Sequence, residues 1–267
     1  MGRWRWRGTG IHQMRAAWAL ALAMVLGSCA PQPVERSLQD GFNSYSARQL
    51  DTAESIANAF ITRHPDSPNI DQAYYLRGIA RFTRGDRAGA FGDLRVAANR
   101  TTRPDLKSKA YRALGDIEFD DQHWSPAQGD YEQALAAGAA GLPAATGAYL
   151  EFHIGACLQA LGQWDKARPY FARVITGKAD AGLVDRAVSR LDLTNFQLQF
   201  GAFQDVANAR DLASRLKADG VMPTISTDLH DGKPLYRVVA GSYKTWADAN
   251  TAQDAMRSKQ PVVAIVP

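Results

Sequence analysis

The sequence predicts an α+β protein with two folded units, an all-α solenoid of helical repeats followed by a βαββαβ domain. Three observations lead to this fold class. The chain has 267 residues, more than one typical domain needs. In its first two thirds, a glycine is followed twelve residues later by an alanine on four occasions. After Leu193, the apolar residues change from a helical period to the alternation that is typical of β-strands.

The glycine–alanine pairs predict close contacts between consecutive helices. Successive glycines lie 37, 37 and 40 residues apart. With a glycine on one helix and an alanine on the next, two backbones can approach without a side chain between them. Tyr131 and Phe171, four residues after two of the alanines, are expected to fill the groove towards the next repeat. The residues predicted to form the contacts are Gly41 with Ala53, Gly78 with Ala90, Gly115 with Ala127, and Gly155 with Ala167.

The repeat period resembles that of tetratricopeptide repeats, which is about 34 residues. This resemblance implies a solenoid whose concave groove binds an extended peptide or a helix of a partner protein. We assign the array to residues 37–193, and we expect residues 179–193 to cap it as an amphipathic helix. The predicted packed face of that helix contains Leu183, Ala187, Val188 and Leu191. A simple alanine-rich bundle is the alternative to repeats.

Residues 194–267 contain two similar halves, offset by forty residues. Residues 196–200 alternate between apolar and polar side chains, and residues 236–240 follow as the corresponding strand of the second half. A helical pattern follows each of these two segments. Shorter strands are predicted at residues 223–227 and 262–266. The resulting βαββαβ unit should form an antiparallel sheet with both helices on one face.

The paired segments FQLQFGAF and YRVVAGSY, at residues 196–203 and 236–243, resemble the two signatures of SPOR domains. The resemblance covers residues 194–267 and implies a ferredoxin- or RNP-like fold. It also implies that the sheet face without helices binds peptidoglycan glycan strands that lack their stem peptides. Alternation places four side chains on that face, and two more lie where the chain leaves the sheet. The predicted peptidoglycan-binding residues are Gln197, Gln199, Arg237, Val239, Ser242 and Tyr243.

The chemistry of these side chains suits a sugar polymer. Gln199 matches the first-strand glutamine of the family, and its amide can both donate to and accept from hydroxyl and N-acetyl groups. Arg237 can donate to the lactyl carboxylate of a muramic acid without a stem peptide. The chain departs from some relatives at Leu235 and Val262, where they carry aromatic residues. Loss of those stacking surfaces would weaken or abolish glycan binding.

The N-terminal segment predicts a lipoprotein signal peptide over residues 1–28. Basic residues precede an apolar run at residues 16–26, about 11 residues that are too few to cross a bilayer of roughly 30 Å. The run leads into LGSC at residues 26–29, which resembles a lipobox. Cys29 is therefore the predicted site of lipidation, and residues 29–36 the predicted tether.

The residue after the cysteine indicates the destination of the lipoprotein. Ala30 stands where an aspartate would retain a lipoprotein in the inner membrane of enteric bacteria. The resemblance therefore implies the periplasmic face of the outer membrane of a Gram-negative bacterium. A plain secretory signal with an unmodified cysteine is the alternative, and either Met1 or Met14 is the start of translation.

The charge distribution argues against nucleic acid as a partner. The sequence pI is about 9.1, but four arginines and no acidic residue precede Cys29. The remaining chain has 27 basic and 27 acidic residues. Since the predicted mature chain is formally neutral, no basic stripe remains that would bind phosphates.

The sequence also contains no recognisable catalytic motif. None of the five histidines, at positions 12, 64, 123, 153 and 230, has a metal-ligand spacing, and HExxH, GxSxG and phosphate-loop patterns are absent. If Cys29 is acylated, Cys157 has no partner for a disulfide and is expected to be a core residue. We therefore expect neither an enzyme nor a bound metal or cofactor.

Two functional hypotheses remain at this point. In the first, the protein is a peptidoglycan-binding scaffold whose repeats hold an unidentified envelope protein, enriched at the division site as the family resemblance implies. In the second, it is an assembly factor or pilotin for an outer-membrane machine, and the C-terminal domain binds protein. The polar residues Gln197, Gln199 and Arg237 on the predicted sheet face favour the first hypothesis.

Overall fold

The computed structural model describes residues 33–138, 141–230, 232–256 and 264–267. The predicted signal peptide, Cys29 and Val262 lie outside the described residues. Within these ranges, no helix is both long and apolar enough to span a bilayer.

Nine helices lie between Pro33 and Leu191 in the described part of the chain. Each packs against the next, and α1 contacts α3 as α3 contacts α5, so the helices stack as successive pairs. Because α1 begins at Pro33, the predicted tether at residues 29–36 overlaps its first turn. The helices are α1 (Pro33–Ser46), α2 (Leu50–Arg63), α3 (Ile70–Arg84), α4 (Arg87–Arg100), α5 (Pro104–Asp120), α6 (Trp124–Gly138), α7 (Ala144–Ala160), α8 (Trp164–Thr176) and α9 (Ala181–Leu191).

The first helix of each pair meets the second at a glycine. A Cβ atom on Gly115 would lie 2.8 Å from the ring of Tyr131, and one on Gly155 would lie 2.9 Å from the ring of Phe171. Both rings are fully buried against the glycine of their own pair, because a residue four positions after the buried alanine lies on the same helix face. The ring of Tyr131 also packs towards the next repeat, as predicted, since it lies 6.4 Å from the Tyr149 ring and 5.3 Å from the His153 ring.

Aliphatic side chains take this place in the first two pairs. A Cβ atom on Gly78 would lie 2.7 Å from Cγ of Leu94. At Gly41, the neighbours of such an atom would be Ile56 and Leu76, the latter from α3. The alanines of all four pairs, Ala53, Ala90, Ala127 and Ala167, are fully buried.

Helix α9 covers the end of the array. Leu183 and Ala187 are buried there, and Leu191 packs against the same core. Val188 was expected on this face and is instead 55% exposed. One residue advances about 100° around a helix, so the position after Ala187 turns away from the packed face.

The C-terminal domain is a four-stranded antiparallel sheet with the strand order β2-β3-β1-β4 in the described residues. Its elements are β1 (Phe196–Phe203), α10 (Val206–Ala218), β2 (Pro223–His230), β3 (Lys233–Tyr243), α11 (Trp246–Met256) and β4 (Ala264–Val266). Both helices pack on one face. The core there includes Phe196, Leu198, Phe200, Val238, Ala240, Ala209, Leu216 and Ala249.

The first three strands run farther than predicted. β2 and the start of β3 extend each other by regular pairing, whereas β1 and the end of β3 continue through irregularities. In β1, the pairing passes from Gln199 opposite Val239 to Gly201 opposite Val238, which leaves Phe200 without an opposite residue. In β3, Gly241 has a φ of +81°, a conformation that glycine adopts readily. A β-bulge of this kind bends a strand without ending it.

Tryptophans hold the sheet domain against the helical array. Trp164 Nε1, at the start of α8, donates a hydrogen bond to the Lys244 carbonyl at 2.8 Å. The Trp164 ring lies 5.0 Å from that of Phe196, and Trp124 at the start of α6 meets Trp246 edge-on at 5.5 Å. The end of β3 and the start of α11 therefore pack on the ends of the third and fourth helix pairs.

We predict opposite effects of alanine at two helical glycines. Gly155→Ala should lower the free energy of unfolding by about 1–3 kcal/mol, because the new methyl group meets the Phe171 ring. Gly129→Ala, where no atom lies within 4 Å, should raise it by up to about 1 kcal/mol through helix propensity. Urea unfolding followed by circular dichroism measures both. Equal effects of the two substitutions would mean that the helices do not meet closely at Gly155.

Candidate functional site

The sheet face opposite the helices is built by cross-strand neighbours. Residues directly opposite each other on adjacent strands point to the same face. Gln199 lies opposite Val239 on β3 and Ala264 on β4, and Val239 lies opposite Thr224 on β2. The same pairing places Gln197 beside Val266, and Arg237 between Ala202 and Ser226. We call the surface formed by these residues the open face.

Three of the predicted site residues lie half-buried on the open face. They are Gln197, Gln199 and Arg237. Val239 shares the face but is only 3% exposed, so the expectation that it contacts a ligand is wrong. The cause is its place on a central strand, where Gln199 and Thr224 stand on either side of its short side chain.

The two residues at the end of β3 have different surroundings. Ser242 is exposed. The ring of Tyr243 covers Gly241 and packs against the core under the helices, and Tyr243 pairs with the buried Phe196. Tyr243 was expected at the rim of the binding surface, but it lies on the helix side because the irregularity at Gly241 changes which face the following residues point to.

Arg237 has a partner that the sequence did not indicate. One of its Nη atoms forms an ion pair with Asp228 of β2. Its Nε is buried and has no hydrogen-bond partner among the described residues. The predicted donation from Arg237 to a lactyl carboxylate stays a prediction, and any such carboxylate must share the guanidinium with Asp228.

The open face is consequently polar and close to neutral. Two amides, the hydroxyls of Thr224 and Ser226, and one compensated ion pair supply hydrogen-bond donors and acceptors. Sequence reasoning missed the contribution of β2, whose alternation from Thr224 to Asp228 would have placed Thr224, Ser226 and Asp228 on the same face. Such a surface suits a ligand rich in hydroxyl and amide groups, with few carboxylates, better than a densely charged polyanion.

One histidine is enclosed by aromatic rings between the third and fourth helix pairs. His153 Nδ1 lies 2.8 Å from the Tyr149 carbonyl oxygen, and its ring lies 4.0 Å from the Tyr149 ring and 5.1 Å from that of Phe119. Burial lowers the pKa of His153 below its ordinary value. Nearby, the Asp116 carboxylate accepts hydrogen bonds from the hydroxyls of Tyr131 at 2.9 Å and Tyr149 at 2.8 Å. These groups satisfy one another within the packed interior.

The remaining candidates for chemistry are also accounted for by packing or ion pairs. His123 is exposed and lies 2.6 Å from Glu118. Asp120 and Asp121 form ion pairs with Arg87. Burial raises the pKa of the Cys157 thiol to about 12, so at neutral pH it carries no nucleophilic thiolate. Among the described residues, no cluster of His, Cys, Asp or Glu side chains is arranged to hold a metal ion.

Comparison with protein families identifies both units. Residues 192–267 match the SPOR domain, and residues 149–176 match a tetratricopeptide repeat. The chain ends in a SPOR domain. Its matched start lies two residues before the predicted boundary at residue 194, and the matched repeat spans most of α7 and all of α8. Both are binding modules, one for peptidoglycan and one for proteins. The modules of this chain therefore support a binding role.

Two solved structures with a TM-score of 0.50 agree with the repeat fold. A tetratricopeptide repeat protein from Parabacteroides merdae is 13% identical, with a TM-score of 0.50 over 70% of this chain and 68% of that one. The apo form of RapI is 11% identical, with a TM-score of 0.50 over 67% of this chain and 52% of that one. A MamA structure is 19% identical, with a TM-score of 0.46 over 68% of this chain and 99% of that one.

These likenesses are to folds only. No functionally curated protein sequence matches the chain. The predicted fold class, helical repeats followed by an α+β SPOR domain, is confirmed.

We predict that acid destabilises the array through His153. Because the pKa of this imidazole is lowered in the folded state, the unfolded chain takes up its proton first, and stability falls as the pH drops below about 6.5. Asp116 favours the protonated ring, whereas Arg112 and Arg186 oppose it. Thermal melting at pH 7.5 and 5.5 measures the effect, which His153→Phe should reduce.

A buried carboxyl provides a control of opposite sign. Burial raises the pKa of Asp130 to about 6, so its protonation favours the folded state as the pH falls towards its ordinary value. Asp130→Asn should therefore steepen the loss of stability on acidification. An identical pH dependence in wild type and His153→Phe would exclude His153 as the source.

Proposed function

We propose that this protein is a non-catalytic outer-membrane lipoprotein that binds peptidoglycan through its SPOR domain and a protein partner through its repeats. The observation that carries the proposal is the open face, a near-neutral surface of amides and hydroxyls on a SPOR domain. The ligand that we assign to it is a glycan strand without stem peptides. By the family resemblance, such strands would enrich the protein at the division site.

The side chains of the open face support a sugar ligand. Gln197 and Gln199 project beside each other along β1, and each amide offers two donors and one acceptor oxygen. N-acetyl and hydroxyl groups of a glycan supply the complementary atoms. Arg237, paired with Asp228, offers its remaining N–H groups without presenting a net charge. The residue at the family's aromatic position, Leu235, is half-buried beside Asp228 and adds an apolar contact instead of a stacking ring.

The proposed anchor would place the two modules at different distances from the membrane. Cys29 precedes the start of α1 at Pro33 by four residues, a reach of at most about 14 Å. The first helix pair would therefore lie at the membrane surface. The SPOR domain packs on the third and fourth pairs, so the array would separate it from the lipid.

Two open-face substitutions test the glycan ligand. Gln199→Ala combined with Arg237→Ala removes hydrogen bonds of about 1–3 kcal/mol each, which predicts a loss of affinity of about five- to 150-fold per site. The full chain, purified in detergent, is sedimented with amidase-treated and with untreated sacculi. Wild type should bind the treated sacculi more strongly, and the double variant should bind neither well.

A matched double variant controls for the loss of these residue types. Gln204→Ala with Arg210→Ala removes the same two types of side chain, one glutamine and one arginine. Both residues are exposed and lie away from the open face, after β1 and on α10. It should bind like wild type. Equal binding of wild type to treated and untreated sacculi would remove denuded glycans as the ligand and favour the assembly-factor hypothesis. Wild-type binding by the open-face variant would move the site elsewhere.

The two cysteines allow a direct test of the lipid anchor. Cys29→Ser should abolish lipidation, so the variant should no longer be processed to a mature form that begins at residue 29. Cys157→Ser changes a fully buried core residue and should leave processing and membrane association unchanged. Mass spectrometry of the N-terminal peptide and fractionation of membranes measure both properties. An unmodified Cys29 in the membrane-bound wild-type protein would contradict the proposal.

A further inference from the structure

A cavity of about 520 Å³ opens between the first helices of the third and fourth repeats. The N-terminal turns of α5 and α7 form two of its walls, and the end of α6 forms the third. Helices α5 and α7 contact each other farther along, through the Asp116–Tyr149 hydrogen bond and the rings of Phe119 and His153. The cavity lies beside their N-terminal turns. The apolar and small residues that line the cavity are Pro104, Ala137, Gly138, Leu142, Pro143 and Thr146.

The cavity lies where these two helices are longer than their counterpart. α5 and α7 have 17 residues each, whereas α3 has 15. The added residues precede Gly115 and Gly155, so they extend the helices beyond the contact that closes each pair. Leu142 folds back over Gly138 and forms one side of the opening, since a Cβ atom on Gly138 would lie within 2.8 Å of all three outer carbons of Leu142.

A positioned arginine lies at the edge of this apolar surface. The guanidinium carbon of Arg112 lies 4.6 Å from the centre of the Tyr149 ring, and its Nε lies 3.7 Å from Asp116. Asp116 is itself held by two tyrosine hydroxyls. Arg112 is therefore oriented in advance, and its Nη groups have no hydrogen-bond partner among the described residues. Lys109 adds a second cation at the rim, in an exposed pair with Asp105 at 3.5 Å.

We propose that this cavity binds a partner-protein segment in which an apolar side chain is followed closely by an aspartate or glutamate. The apolar side chain fills the space between α5 and α7, and the carboxylate bonds to Arg112. This inference rests on the proposed role of the repeats and specifies the chemistry of their partner. Mostly apolar cavities of roughly 300–1,000 Å³ with a few placed polar groups are the usual form of a specific binding site.

A polypeptide fits this arrangement because consecutive residues supply both groups at a fixed spacing. Neighbouring residues of an extended chain are about 3.3 Å apart, so an anchor and a nearby carboxylate reach the cavity and its rim together. Arginine favours such a carboxylate because its planar guanidinium can form two parallel hydrogen bonds with it.

The test selects peptides without knowledge of the partner. A phage library of random twelve-residue peptides is panned on the full chain in detergent, and an enriched peptide is then titrated by fluorescence anisotropy. We expect enriched sequences to share an apolar residue with an acidic residue one to three positions away. Arg112→Gln should weaken binding about tenfold, and Ala137→Phe, which fills the cavity, should weaken it at least as much.

Arg173→Gln is the matched control. Arg173 also lies over a tyrosine ring, at 4.3 Å from the centre of Tyr170, and pairs with the acidic Glu151. Its side chain is 48% exposed, against 44% for Arg112, but it does not line the cavity. This variant should bind the enriched peptide like wild type. Circular dichroism melting of all three variants separates a binding defect from unfolding.

Several outcomes would overturn the inference. Enriched peptides without an acidic residue, equal effects of Arg112→Gln and Arg173→Gln, or no enrichment would each do so. Binding of palmitate, lost on Ala137→Phe, with no enriched peptide would assign the cavity to a lipid instead. Sedimentation of the same variants with amidase-treated sacculi keeps the two proposals apart, because a defect in the cavity leaves the open face and its glycan binding intact.

Discussion

The contact between a glycine and a large side chain sixteen residues later determines how each of the last three helix pairs closes. Gly115 leaves room for the ring of Tyr131 and Gly155 for that of Phe171, because a Cβ atom on either glycine would lie within 3 Å of the ring. The last of these pairs carries Trp164 at the start of its second helix, α8. The indole of Trp164 contacts Lys244 and Phe196, so the position of the SPOR domain against the array depends on helix packing within the array.

The open face follows from a second constraint, the pairing of β1 with β3. The two strands are neighbours in the sheet although α10 and β2 separate them in sequence, and their similar patterns put amides and Arg237 on the same side. Asp228, from the adjoining edge strand, compensates the guanidinium. The face is therefore polar without being strongly charged, which separates it chemically from the arginine-rimmed cavity between α5 and α7.

Much of this architecture could be predicted because it depends on short-range pattern. The glycine–alanine spacing located the helix pairs, and alternation placed Gln197, Gln199 and Arg237 on the correct face. The features that the sequence did not predict depend on contacts between residues distant in sequence. The burial of Val239 comes from strands on both sides, the face of Tyr243 from an irregularity at Gly241, and the pairing of Arg237 from Asp228. The tryptophan contacts between the two units have no periodic signature, so no pattern indicated them.

The tryptophan junction also bears on how the molecule would transmit force. A protein tethered at one end to a lipid and at the other to a wall is pulled whenever the two surfaces shift. A flexible linker accommodates such a displacement by changing its extension. Here the indole of Trp164 is bonded to the backbone ahead of α11, and Trp124 meets Trp246 beside it, so two separate points resist rotation of the sheet domain. The repeats would then act as a rigid spacer of fixed length. A change in the distance between membrane and wall would apply force directly to the helix stack.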